Sequence, residues 1–227
     1  MAVARSRRVW TTAAGALLAA ALLLVLAPLG LLRLPRSRLR GLLPGPARPP
    51  VRPLLRGDLP LPAAALAAGV SLGRGPLSLH IRKAERVLTV MAGRTAVKEY
   101  RIGLGQAPVG TKIREGDSKT PEGEYYVCTR LRQSRFHRFL GLSYPNGAAA
   151  DRGLREGRIT PAQRRAIRSA GNRRTQPPWN TPLGGAVGIH GGGGSSDWTL
   201  GCIAVEDSEI EELFAVLRLG TPVHIAP

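Results

Sequence analysis

Two short apolar runs, 187–190 and 202–205, bracket four consecutive glycines, Gly191-Gly192-Gly193-Gly194. A glycine tract loses too much backbone entropy to continue a helix or a strand, so the chain must turn there. Runs of four residues are too short for helices but suit buried strands. If the two runs are neighbouring strands, the glycine loop can fold back and bring His190, at the end of the first, to Cys202, at the start of the second. A free thiol has a pKa of about 8.5 and needs a base to become a nucleophile near neutral pH. An imidazole within hydrogen-bond reach supplies that base. Gly201 leaves room for a substrate carbonyl, and backbone N–H groups around Gly201 and Cys202 are the expected oxyanion donors.

The same stretch argues against other chemistries. No glycine fingerprint follows a strand and opens a helix, which speaks against a dinucleotide loop, and the Gly-Lys-Ser/Thr ending of a phosphate loop is missing. Cys202 has no second cysteine at zinc-ligand spacing. No metal or organic cofactor is expected. A buried, inert cysteine behind an ordinary loop is the plain alternative.

The order His190-Gly191, a glycine-containing spacer, then Thr199-Leu200-Gly201-Cys202-Ile203 resembles the active-site signature of the L,D-transpeptidase (YkuD-type) family. A second block, Lys119-Thr120-Pro121-Glu122-Gly123-Glu124-Tyr125, is similar to the family's Thr-Pro-x-Gly-x-Tyr segment before a central strand. The resemblance covers about 77–226. It implies a mainly β, sandwich-like catalytic domain with a few helices, acting on peptidoglycan stem peptides without a cofactor. Cys202 is then the nucleophile, His190 the base, and Gly191 the residue whose carbonyl orients the imidazole. Thr199 and Leu200 stand where Ser-His is commonest, and Ala204 where Arg is usual, which places the chain in a branch lacking the second histidine. That departure leaves two reactions open, transfer to an amine and hydrolysis that trims or releases stem-peptide attachments. A non-catalytic wall-binding module is the reading from outside enzymology.

Four segments are expected. Residues 1–10 are basic, and 11–32 are uncharged and apolar over about the ~20 residues that cross a bilayer, read as a membrane anchor or, if cleaved, a signal. Residues 33–75 form a Pro/Arg-rich tether, with no surviving period. Residues 76–227 form the catalytic domain, outside the membrane on the extracytoplasmic side. The formal net charge is +18, but ten arginines and no acids lie in 1–56, leaving 23 basic against 15 acidic residues. With three Phe, four Tyr and three Trp in all and no nucleic-acid motif, that remainder does not read as a nucleic-acid binder.

Within the domain, 77–81 alternates as a strand and 86–90 and 95–102 are β-rich, with Ala92-Gly93-Arg94 as a turn. Cys128 falls in the strand 125–131 as a core residue, unbridged to Cys202. Thr160, Pro161 and Gln163 begin a helix with a capping box, ended by Gly171 and packed by a thin face of Ala162, Ala166, Ile167 and Ala170. Asp207 or Ser208 caps a last helix whose buried face is Ile210, Leu213, Phe214 and Leu217. His80 and His224 sit in strands and His137 faces solvent, all ranked below His190. Tyr144 and Trp179, with Thr199, are the candidates for lining the substrate groove.

Overall fold

The computed structural model describes residues 59–72 and 75–227. The apolar segment expected over 11–32 lies outside the described residues. Among those described, no helix is long and apolar enough to cross a membrane.

Alternation is written in the first strand. In β1 (Leu77–Arg82) Leu79 and Ile81 are buried while His80 is exposed, the period of two that a half-covered strand requires. It pairs antiparallel with β2 (Val87–Ala92), which turns at Gly93, φ +58°, into β3 (Thr95–Arg101). The remaining strands are β4 (Gly123–Ser134), β5 (His137–Leu142), β6 (Gly188–His190), β7 (Ile203–Ala204) and β8 (Pro222–Ala226).

The eight strands form one sheet in the order β3-β2-β1-β8-β4-β5-β6-β7. Two pairs are parallel, β1 with β8 and β6 with β7. The twelve-residue β4 serves both halves of the sheet. Its start, from Gly123 to Tyr126, pairs with β8, and from Val127 onward it pairs with β5 across register shifts. Such irregularities bend a strand and increase its twist, which lets one strand belong to two packed layers. Beyond β3 the chain reaches the opposite edge, where Gly103 exchanges both backbone hydrogen bonds with Ala204 of β7. The sheet is thus curled nearly closed, and the mainly β, sandwich-like expectation holds. Its interior is filled by Leu79, Ile81, Leu88, Val127, Leu140 and Ile189, all fully buried.

Four helices complete the domain. Residues 33–75 were expected to be an extended tether, but Leu61–Ala67 forms α1 and buries Leu61, Ala64 and Ala65 in the core. Pro60, one of the prolines that suggested a tether, here directly precedes the helix, and Pro62 sits in the first turn where its missing N–H costs nothing; the other tether prolines lie outside the described residues. Helix α2 (Gly147–Arg155) is capped by the Asn146 side chain. Helix α3 (Pro161–Asn172) has the full Thr160/Gln163 capping box, and it runs one residue past Gly171. Only Ile167 and Ala170 of its expected apolar face are buried; Arg164 and Arg168 instead reach Asp151 of α2 at 2.6 and 2.7 Å. Helix α4 (Asp207–Val216) buries Ile210, Leu213 and Phe214, with Leu217 just beyond it. Its cap is Glu206, in a box with Glu209, rather than Asp207 or Ser208. Asp207 is engaged elsewhere.

Candidate active site

Ile189 stands opposite Ile203 and His190 opposite Ala204 across the parallel β6–β7 pair. One step back along this register places Cys202 opposite Gly188. Side chains alternate faces, so Cys202 and His190 share a face as diagonal neighbours, with about 7–8 Å between such positions. The His190 imidazole is buried at 2 % exposure, and its Nδ1 lies 2.6 Å from the Gly191 carbonyl oxygen. A carbonyl only accepts, so Nδ1 carries the proton and Nε2 keeps its lone pair. Burial holds the imidazole below its ordinary value, the Gly191 hydrogen bond opposing it, so His190 is neutral at pH 7.

The half-buried Cys202 thiol donates to the Ala186 carbonyl at 3.6 Å, and no hydrogen bond joins it to His190 in this resting geometry. Burial pushes the thiol up; the Gly188 N–H, then the Lys112 ammonium, pull it back. Thiol and imidazole are thus a neutral pair on one face.

An aromatic wall stands over the imidazole. The Phe136 ring, at the tip of the β4–β5 hairpin, stacks on His190 with centroids 4.7 Å apart and planes 23° apart. Trp198 meets both rings edge-on, at 5.6 Å from His190 and 5.2 Å from Phe136.

The glycine loop is held by its own N–H groups. Gly191 N–H donates to Phe136 O at 3.1 Å and Gly193 N–H to Val205 O at 2.9 Å. Gly192 and Gly194 donate to the carboxylates of Asp207, at 2.8 Å, and Glu206, at 3.0 Å. At Gly191 a methyl group would lie 2.2 Å from Asp207 Oδ1, so a side chain there would displace the carboxylate that holds the Gly192 N–H.

The Thr-Pro-x-Gly block meets the cysteine block at one atom. The Cys202 carbonyl accepts from Thr199 Oγ1 at 2.8 Å and from Thr120 Oγ1 at 3.5 Å. Thr120 is fully buried and its hydroxyl also accepts from Gly105 N–H at 3.1 Å.

Several expected site residues are placed differently. Thr199 is 4 % exposed and faces the Cys202 carbonyl rather than a groove. Its hydroxyl also accepts from the Gly201 N–H at 3.1 Å, which commits one of the expected oxyanion donors to the protein itself. Gly201 itself has φ +131°, and a methyl there would lie 2.7 Å from Lys119 O. Tyr144 is fully buried with its hydroxyl donating to Leu183 O at 3.0 Å; it is a core residue and lines no groove. Trp179 is half-buried against Gly185 and Gly141, edge-on to Phe139. Cys128 is half-buried rather than core, and burial pushes its thiol up to about 12. Both cysteines are free. His137 is exposed and paired with Glu211, while Glu124 holds His224.

Sequence reasoning missed Phe136, Trp198, Glu206, Asp207 and Lys112. The acids carried a signal, because carboxylates directly after the cysteine strand serve the loop in front of a helix as well as its dipole. The aromatics carried none, since nothing local pairs a hairpin tip with a histidine fifty-four residues on. A cleft of about 620 Å³ beside β3 and α4, lined by Lys98, Glu99, Tyr100 and Glu212 among others, contains neither His190 nor Cys202. Among the described residues no three His, Cys, Asp or Glu side chains converge to hold a metal ion.

Comparison with solved structures finds an L,D-transpeptidase from Xylanimonas cellulosilytica at 16% identity and TM-score 0.42, covering 72% of this chain and 68% of that one. The helical cell shape determining protein Pgp2 from Campylobacter jejuni matches at 21% identity and TM-score 0.47, covering 66% and 47%. Bd1075 from Bdellovibrio bacteriovorus matches at 21% identity and TM-score 0.44, covering 69% and 49%. The chain thus spans about half the length of the latter two. A search of curated proteins found no match. The model of the YkuD L,D-transpeptidase catalytic domain matches residues 76–225, the span that carries both motif blocks, β1 to β8 and the His190–Cys202 face, and this chain belongs to that family.

Proposed function

We propose that this chain is a cysteine-dependent L,D-transpeptidase acting on peptidoglycan stem peptides, held at the extracytoplasmic face of the membrane by residues 11–32. The observation that carries the reading is the protonation geometry of His190, whose Nδ1–H is spent on Gly191 while Nε2 stays basic on the face shared with Cys202. His190 Nε2 takes the thiol proton as Cys202 Sγ attacks the carbonyl carbon of the third stem-peptide residue. The Cys202 N–H steadies the oxyanion. As the tetrahedral intermediate collapses the C–N bond breaks, and the imidazolium returns its proton to the departing D-amino acid. The thioester is then resolved by an amine, giving a cross-link, or by water, giving a trimmed peptide.

The test is intact-protein mass spectrometry of the full chain mixed with a tetrapeptide stem, beside Cys202→Ala. The expected result is a thioacyl adduct accompanied by release of the terminal D-amino acid, absent in the variant. Adding an acceptor amine then separates transferase from hydrolase by the product that accumulates. No adduct together with slow iodoacetamide labelling of Cys202 would replace this reading with that of a wall-binding module.

A further inference from the structure

Two lysines are almost wholly buried near the site, and they are bonded very differently. Lys83, 2 % exposed, spends its ammonium on three acceptors, the carbonyls of Gly110 and Thr120 and the carboxylate of Glu122, at 2.7, 3.0 and 2.8 Å. Lys112, 3 % exposed, has one acceptor among the described residues, Asp117 Oδ1 at 2.8 Å. An ammonium has three donors, and leaving donors of a buried charge unused is costly. The lysine is also surplus to the turn around it. Asp117 already accepts from the N–H groups of Ile113, Arg114 and Lys119 at 2.8, 3.1 and 3.1 Å, which is enough to close the loop. Replacing a buried ion pair by apolar groups of similar shape is often neutral or stabilising, so packing alone does not call for a charge here.

What the charge adjoins is the turn that leads into Cys202. A methyl group on Gly201 would lie 3.6 Å from Lys112 Nζ, and one on Gly184 would lie 3.4 Å from its Cε. The ammonium therefore packs against the residue that precedes Cys202. We propose that Lys112 is a positioning residue whose under-bonded, buried ammonium is the electrostatic partner of the Cys202 thiolate, held in place by Asp117. The inference rests on the proposed function only in taking Cys202 as the nucleophile. The ionisable groups bearing on the thiol are Lys112, with Asp117 on its ammonium and Arg152 on its backbone carbonyl, and the neutral His190. A cation within a few ångströms favours the charged form of an acid by about one unit or more, which is a factor of about ten in thiolate at fixed pH.

The experiment is the pH dependence of Cys202 carbamidomethylation by iodoacetamide in the full chain, read at that site by peptide mass. In Lys112→Met the midpoint rises and labelling at pH 7 falls about tenfold. In Asp117→Asn, which removes the counter-charge, the midpoint falls. A purely structural role would move both variants the same way, and that outcome, or an unmoved midpoint in Lys112→Met, overturns the proposal. Should Lys112→Met not fold, wild type decides. The chain has four lysines, so the Lys112 Cε resonance is assignable with ¹³C-lysine. It must shift with the Cys202 midpoint and lose that transition in Cys202→Ala; a resonance blind to the thiol refutes the coupling. A missing tetrapeptide adduct beside an intact Lys112 effect would sink the proposed function and leave the ion pair standing.

Discussion

The stack of Phe136 on His190 makes a prediction with two signs. Replacing Phe136 by alanine removes the ring lying 4.7 Å from the imidazole and opens that face to water. Phe136 is already 37 % exposed, so only about two thirds of its surface is at stake. A fully buried Phe→Ala costs about 3–5 kcal/mol; scaled to the buried share, the expected loss is about 2–3 kcal/mol, of which about 0.5–1.5 belongs to the ring pair itself. The second sign concerns the proton. Burial is the main cause that holds His190 below the ordinary 6.5, so the variant's imidazole titrates closer to that value. In wild type the folded pKa is depressed, so the unfolded chain binds the extra proton first. The associated stability is full above 6.5 and is lost as pH falls through the folded value. Phe136→Ala should therefore be less stable at pH 7.5 yet lose less further stability on going to pH 5.5. Urea denaturation at the two pH values reads both effects, and the His190 ¹³Cε1 resonance reads the midpoint directly. An imidazole midpoint unmoved or lower in the variant would refute the idea that the aromatic wall keeps this base neutral.

Three further substitutions probe the frame around the pair. Thr199→Val strips the hydroxyl that serves the Gly201 N–H and the Cys202 carbonyl, leaving buried groups unpaired; a loss of about 2–4 kcal/mol in urea denaturation is expected, with Thr199→Ser close to wild type. Gly201→Ala forces a methyl to 2.7 Å from Lys119 O at φ +131°, so adduct formation at Cys202 should fall at least as steeply as stability, by about 1–3 kcal/mol in the latter. Asp207→Ala frees the Gly192 N–H, and hydrogen exchange at Gly192 should accelerate while amides in β1 and β2 keep their protection.

Strands β1 to β3, the capping box of α3 and the buried face of α4 were legible because each is written in neighbouring residues. Period, caps and turn glycines are local, and the physics that reads them is local too. Misreadings occur where one local pattern has two uses. Pro60 and Pro62 punctuate a tether as well as they start a helix, and only the core that receives Leu61, Ala64 and Ala65 decides between them. Tyr144 and Thr199 are polar-edged side chains near motif residues, and their hydroxyls could serve a substrate or the backbone. Here both serve the backbone.

The site shows the same division at finer scale. His190 and Cys202 could be paired on paper because twelve residues separate them and a glycine loop permits only a few returns. Phe136, Lys112 and Asp207 could not, because each reaches the pair through a different element and no spacing links them. The two blocks that stood out in the sequence converge on the carbonyl of Cys202, where the hydroxyls of Thr120 and Thr199 both donate. A peptide unit held by two hydroxyls has little freedom to rotate, and the Cα of Cys202, which carries the thiol and begins that unit, is held with it. The threonine that precedes Pro121 and the threonine three residues before Cys202 are therefore parts of one device that holds the Cys202 carbonyl, and it is at this atom that the two motif blocks, about eighty residues apart in the chain, meet.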